Sequence, residues 1–136
     1  MIVYIDENLA PQLAKGFDIL QEPLNFKSME ALEIKSIRNE FGQGVADEDW
    51  IPLAGQKKAC VITQDFNIRR IRHQRLLCEE YNLGMFYFRP PSRKGYSYWD
   101  MVKLLVKCWE DISKIALTQK RPFSYKLSAK GKLEEL

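Results

Sequence analysis

The run CVIT, residues 60–63, is short and continuously apolar up to its closing threonine, and it is followed at once by Gln64 and Asp65. Four such residues are too few for a helix, and they suit a strand buried on both faces in the middle of a parallel sheet. Working outward, the chain on the C-terminal side predicts a basic helix from about Ile68 to Tyr81. Ile68, Ile71, Leu76 and Leu77 recur there at a roughly helical period, and Asn82 and Gly84 mark the exit. MFYF (85–88) reads as the next strand, RPPSRKG (89–95) as a basic loop, and Tyr98 to Leu117 as a long helix. Its inward side is expected to carry Trp99, Val102, Leu105, Val106, Trp109, Ile112 and Ala116. The tail FSYKLSAKGKLEEL (123–136) alternates apolar and polar residues about Lys130 and Gly131, which predicts a hairpin, with a mobile basic tail as the competing view.

On the N-terminal side, ADEDWIPLAGQ (46–56) opens a helix whose first turn holds Asp47, Glu48 and Asp49 and which should carry Pro52 early. Gly42 and Gly44 break the chain before it. An edge strand is expected near Leu32 to Ile37, and a loop from Gln21 to Met29 containing Pro23. A helix from about Leu9 to Ile19 should start on Asn8 as its cap, with Pro11 in its first turn, and Ile2 to Ile5 should form the first strand. The sum is an α/β fold, a three-layer α/β/α sandwich around a mainly parallel central sheet. Residues 1–121 form its body, and 122–136 add a C-terminal hairpin or basic tail to the same domain.

Composition narrows the function classes. With 136 residues, 46% hydrophobic and 12% aromatic, the chain has apolar material for one core and no room for a second. No apolar run approaches the roughly 20 residues that span a bilayer, and the start lacks a basic, signal-type block, so a cytoplasmic protein without membrane partners is expected. Cys60, Cys78 and Cys108 are odd in number and scattered among apolar neighbours, which predicts buried free thiols. A single histidine, His73, excludes multi-histidine metal sites and disfavours a histidine triad. Residues 1–88 hold 10 Lys and Arg against 13 Asp and Glu, whereas residues 89–136 hold 11 against 5. That asymmetry suits a metal site beside a track for an anionic polymer, and suits ordinary solvated helix faces equally well.

The chemistry-bearing pattern is the placement of acids. Binding sites in parallel sheets lie beyond the C-terminal strand ends, at the N-termini of the following helices. Asp6 and Glu7 end the first strand in VYIDEN (3–8), Asp65 follows CVIT, and Asp47 to Asp49 open a helix. Carboxylates about 5 Å apart repel by several kcal/mol at an effective dielectric near 20, and a divalent cation with oxygen ligands relieves this. Mg²⁺ or Mn²⁺ would suit a cluster drawn from Asp6, Glu7, Asp65 and the helix-opening acids Asp47, Glu48 and Asp49. Each acid also has a plainer explanation. Asp6 can satisfy loop amides, Asp65 can cap a helix, Glu7 can face solvent by strand alternation, and the helix-opening acids can compensate a helix dipole. Arg69, Arg70, Arg72 and Arg75 surround their helix; those nearest Asp65 could hold phosphates, with Arg89, Arg93 and Lys94 extending the track. Tyr87, Phe88, Tyr96 and Tyr98 are base-stacking candidates for which core packing is the simpler role.

YIDENLAPQLA (4–14), DEDWIPLA (47–54) and VITQDFNIRR (61–70) together resemble a PIN-like domain, of the compact group related to VapC-type toxins of bacterial toxin–antitoxin pairs. The resemblance covers roughly residues 1–90 by motif and the remainder by element order. It implies a parallel-sheet α/β/α fold and an Mg²⁺- or Mn²⁺-dependent endoribonuclease that hydrolyses RNA phosphodiester bonds, with Asp6, Asp47 and Asp65 catalytic and metal-binding and Glu7 and Asp49 as further metal candidates. Arg69, Arg70, Arg93 and Lys94 would bind the RNA. It also implies a small antitoxin partner that covers the site, and a homodimer is common in the group. The helix acid that larger PIN domains carry between the first strand and Asp47 has no clear counterpart; Glu7, Glu30 and Glu40 are the substitutes on offer. A degenerate PIN-like module that binds RNA or protein without cutting is the alternative, and a receiver-like phosphoacceptor domain is a weaker one.

Overall fold

The structure is a computed structural model of the whole chain, and it describes every residue except Glu7, Asp65, Phe66, Arg93 and Ala129, together with the side chain of Ile68. Strands β1 (Ile2–Ile5), β2 (Glu33–Ser36), β3 (Cys60–Gln64), β4 (Gly84–Phe88), β5 (Phe123–Leu127) and β6 (Leu133–Glu135) form one sheet in the order β2-β1-β3-β4-β5-β6. All neighbours are parallel except β5 and β6, which pair antiparallel as the expected tail hairpin. The helices are α1 (Pro11–Asn25), α2 (Ile37–Phe41), α3 (Asp47–Gln56), α4 (Ile68–Glu80) and α5 (Tyr98–Thr118). The expected α/β class and mainly parallel sheet are thus observed.

The two-residue period of the strands sorts the core into two halves. Val3, Ile5, Cys60, Ile62, Phe86 and Phe88 point to the side covered by α1 and α5. Tyr4, Val61, Met85 and Tyr87 point to the opposite side, where Ile37 precedes Trp50, Ile51 and Ala54 of α3 and Cys78 of α4. CVIT is therefore buried on both faces, as a central strand requires. β1 to β2 steps one way along the sheet on the α1 side; β2 to β3 and β3 to β4 step the other way on the opposite side, so these crossovers share one hand. The β4–α5–β5 crossover steps the same way as its predecessors but lies on the α1 side, and so has the reverse hand. Without α5 there, Ile62, Phe86 and Phe88 would lack cover.

Local chemistry explains where element boundaries depart from expectation. α1 starts at Pro11 with Ala10 as an N-cap that makes no side-chain bond, so Asn8 is not the cap. The helix also continues through Pro23 to Asn25 instead of yielding to a loop at Gln21. Pro23 falls in the last turn, so it gives up its bond to the carbonyl four residues back but little helix follows it, and the end is pinned from outside. The Asn25 side-chain amide pairs with the backbone of Leu32 in both directions, at 3.0 and 2.9 Å, and buried Gln21 accepts from Trp109 Nε1 at 3.0 Å. The short α2 had no apolar period to announce it; Ser36 caps it by accepting from the Asn39 amide. Pro52 sits at the sixth position of α3 and not in its first turn. On α5 the buried stripe is Met101, Leu104, Leu105, Cys108, Ile112 and Ala116, whereas Trp99 and Val106 are 67% and 57% exposed because they fall off that stripe. Leu76 is likewise exposed on α4, whose inner face carries Gln74 and Cys78.

Two expected outcomes follow from this packing. A Cβ built at Gly84 would lie 2.2 Å from Cζ of Phe123, its register partner on β5, and the ring is boxed in by Phe86 and Tyr125. Gly84→Ala should therefore lower stability by about 2 kcal/mol in urea denaturation, the cost of overpacking a closed core. The three cysteines are free and buried; burial pushes the thiols of Cys60 and Cys108 up to about 12 and about 11 and raises that of Cys78 too. An aromatic disulfide reagent at pH 8 should find no reactive thiol in the folded protein and all three in urea.

Candidate functional site

Because β1 leads to β2 on one side and its other neighbour is β3, the chain order reverses between β1 and β3, and the crevice beyond their C-terminal ends is the switch point of the sheet. Asp6 stands there. Its amide donates to the Ile62 carbonyl at 2.9 Å, which carries the β1–β3 ladder one residue beyond the strand. Strand alternation then directs the Asp6 side chain to the same face as Tyr4, toward α3 and α4. Thr63, on the same face of β3, donates its hydroxyl to Asp6 Oδ2 at 2.6 Å. Both residues are buried, Asp6 to 1% exposure and Thr63 to 0%.

Asp47 arrives from the other direction, as the first residue of α3 and 9% exposed. Trp50 Nε1, one turn along the same helix, donates to its Oδ1 at 3.1 Å, and Gln74 Nε2 of α4 lies 3.4 Å from both of its oxygens. Arg70 joins the two acids. Its Nε and terminal nitrogen reach the two oxygens of Asp47 at 3.4 Å each, and that nitrogen lies 3.9 Å from Asp6 Oδ2. Arg70 is set in place by the start of α4, where Asn67 caps the helix by accepting from the amides of Arg69 and Arg70. At 35% exposure the Arg70 side chain forms the rim of the site while the carboxylates form its floor.

The rim continues through Gln64. Asn8 donates its side-chain amide to the Gln64 carbonyl, Gln64 Nε2 donates to the Asn8 carbonyl at 3.2 Å, and Gln64 Oε1 accepts from the Tyr96 amide at 3.3 Å. The chain entering α5 is thereby fastened across the strand ends beside Lys94, which is exposed.

Several expected site residues fall outside this group. Asp49 is exposed, two residues and thus about 200° around α3 from Asp47, so it faces away from Asp6. Glu48 is exposed and pairs with His73 of α4; its own backbone amide and then His73 hold its carboxyl below the usual glutamate range. Glu30 lies against the chain's N-terminal ammonium at 3.6 Å, and Glu40 binds Lys57, so neither joins the acids. Arg69 is exposed. Asp65, Glu7 and Arg93 lie outside the described residues. Thr63, Trp50 and Gln74 were missed by sequence reasoning. Thr63 closed an apolar run, and Trp50 and Gln74 carried no reading of their own. Only the Trp50 spacing, three residues after Asp47, offered a signal.

The Thr63 contact has a measurable value. Thr63→Val keeps the shape and removes the hydroxyl, leaving a buried Asp6 oxygen short of a donor, and should lower stability by roughly 1–3 kcal/mol in urea denaturation without metal.

Comparison with curated proteins and with solved structures returned no significant match. The family model described as "PIN like domain" matches residues 1–90, the segment that contributes Asp6, Thr63, Asp47, Arg70 and Gln74 to the site. That span, well over half of the sequence, shows that the chain belongs to the PIN-like domain family.

Proposed function

We propose that the protein is a metal-dependent endoribonuclease and the toxin member of a toxin–antitoxin pair. The observation that carries this reading is the convergence of Asp6 and Asp47, from different segments, on the switch crevice of a PIN-like sheet. The residues fit a hard divalent cation chemically. Asp6 and Asp47 supply carboxylate oxygens, and Gln74 Oε1 is a buried oxygen for which the described residues supply no hydrogen-bond partner. Asp65, which follows β3 directly in sequence, is the third candidate ligand.

Bound Mg²⁺ or Mn²⁺ would supply a water of lowered pKa and compensate charge on the phosphodiester. The chain's own part is orientation. Thr63 fixes one oxygen of Asp6, and Trp50 and Gln74 hold Asp47, so both carboxylates are preset before substrate arrives. Arg69, exposed in the first turn of α4, and Lys94, exposed in the chain leading to Tyr96, are the proposed phosphate contacts, with Arg93 beside Lys94 in sequence. The proposed antitoxin would cover the same crevice, and a homodimer accords with this reading.

Purified protein, freed of any co-purifying small protein, should cleave RNA with Mg²⁺ or Mn²⁺ and stop on addition of a chelator. Asp6→Asn and Asp47→Asn should each reduce cleavage roughly 100-fold or more. Full activity in either variant would sink the assignment. A second reading, a PIN-like module that binds RNA or protein without cutting, is favoured by one observation: Arg70 already supplies a positive charge to Asp6 and Asp47. RNA affinity without cleavage in the same assay would select it.

A further inference from the structure

Two carboxylates share the crevice, and a cation already sits between them. The Arg70 guanidinium spans both oxygens of Asp47 at 3.4 Å and approaches Asp6 Oδ2 at 3.9 Å. From the metal-binding reading of the site, on which this step rests, we infer that Arg70 is a built-in counter-ion holding the place of the divalent cation, and that it must swing outward before the metal can bind.

Charge and geometry lead to the same assignment. Asp6, Asp47 and Arg70 together sum to one negative charge, so the pair of acids is partly neutralised without metal. A divalent ion bound to the same oxygens would put two like-charged centres in contact distance, which electrostatics disfavours strongly where one carboxylate is buried to 1% exposure. The guanidinium and the ion therefore exclude one another. Arg70 can leave because it belongs to the rim: its side chain is 35% exposed, against 2% for Asp6 and 10% for Asp47. Only its side chain needs to move, since the Asn67 cap anchors the backbone of α4's first turn. Asp47 does not lose its orientation meanwhile, because Trp50 and Gln74 still donate to it. Once outside, the planar guanidinium stands at the mouth of the crevice, where a phosphate oxygen pair can accept from it in its bidentate geometry. Arg70 then serves two anions in turn, the protein's carboxylates first and the nucleic acid's phosphate second.

Mn²⁺ alone is the probe, read by isothermal calorimetry on the whole chain. Arg70→Gln removes the competitor and should bind Mn²⁺ at least about tenfold more tightly than wild type, since affinity is lowered by the fraction of protein in which Arg70 is out. Without metal the same variant should melt at a lower temperature than wild type, and Mn²⁺ should raise its melting temperature by the larger increment. A second measurement needs no variant: on titration of the wild type with Mg²⁺, the Arg70 side-chain Nε–H resonance should move away from its carboxylate-bonded position in step with saturation. Equal or weaker Mn²⁺ affinity in Arg70→Gln, or an Arg70 resonance unmoved at saturating Mg²⁺, would overturn the inference. RNA cleavage by wild type is scored separately. Cleavage with unchanged Mn²⁺ affinity in the variant would keep the nuclease and discard the counter-ion; tighter Mn²⁺ binding without cleavage would do the reverse.

Discussion

An aspartate that is 1% exposed at the end of a central strand must be compensated from within the protein, and the surroundings of Asp6 answer that requirement. β3 supplies a hydroxyl through Thr63, and α4 supplies positive charge through Arg70. Because Arg70 reaches Asp6 only from the first turn of α4, that helix must begin directly after β3, and Asn67 caps it there. Asp47 completes the arrangement by tying α3 to α4, so these two helices meet over two carboxylates and one guanidinium beside their apolar packing.

Most of the fold was legible because its signals are redundant. CVIT and MFYF are short apolar runs that end on Gln64 and Arg89, and in a βα alternation they have few places to go other than the middle of a parallel sheet. The tail hairpin showed itself by alternation around Gly131, whose φ of 82° suits the turn. What misled was chemistry that acts at a distance. Pro23 reads as a helix breaker until Asn25 is seen bonded to Leu32, and Asn8 reads as a cap until its amide is seen on Gln64, 56 residues away. No local pattern encodes such pairings.

The site was legible in its acids and obscure in what holds them. Asp6 and Asp47 could be placed because strand ends and helix starts are visible in sequence, and the topology of the sheet does the rest. Choosing among Asp47, Glu48 and Asp49 needed the helix phase: only the first is buried against Arg70 and Gln74, the second turns outward to His73, and the third is exposed. Arg70 was grouped with Arg69 as an RNA contact with nothing in the pattern to tie it to Asp47, and Gln74 gave no sign that it is buried. Neighbouring side chains made those selections, and neighbours are set by the fold.

The borders of the sheet carry a consequence of a different kind. At one border β2 alternates buried Ile34 with Glu33 and Lys35, whose charged ends meet at 3.8 Å; at the other, β6 is three residues long and ends in Glu134 and Glu135. Unpaired backbone at either border is thus flanked by charge or cut short, which discourages a strand from another molecule from extending the sheet. Association with a second protein has to be written on the helical faces or over the crevice, and growth into fibres by strand addition is opposed at both ends.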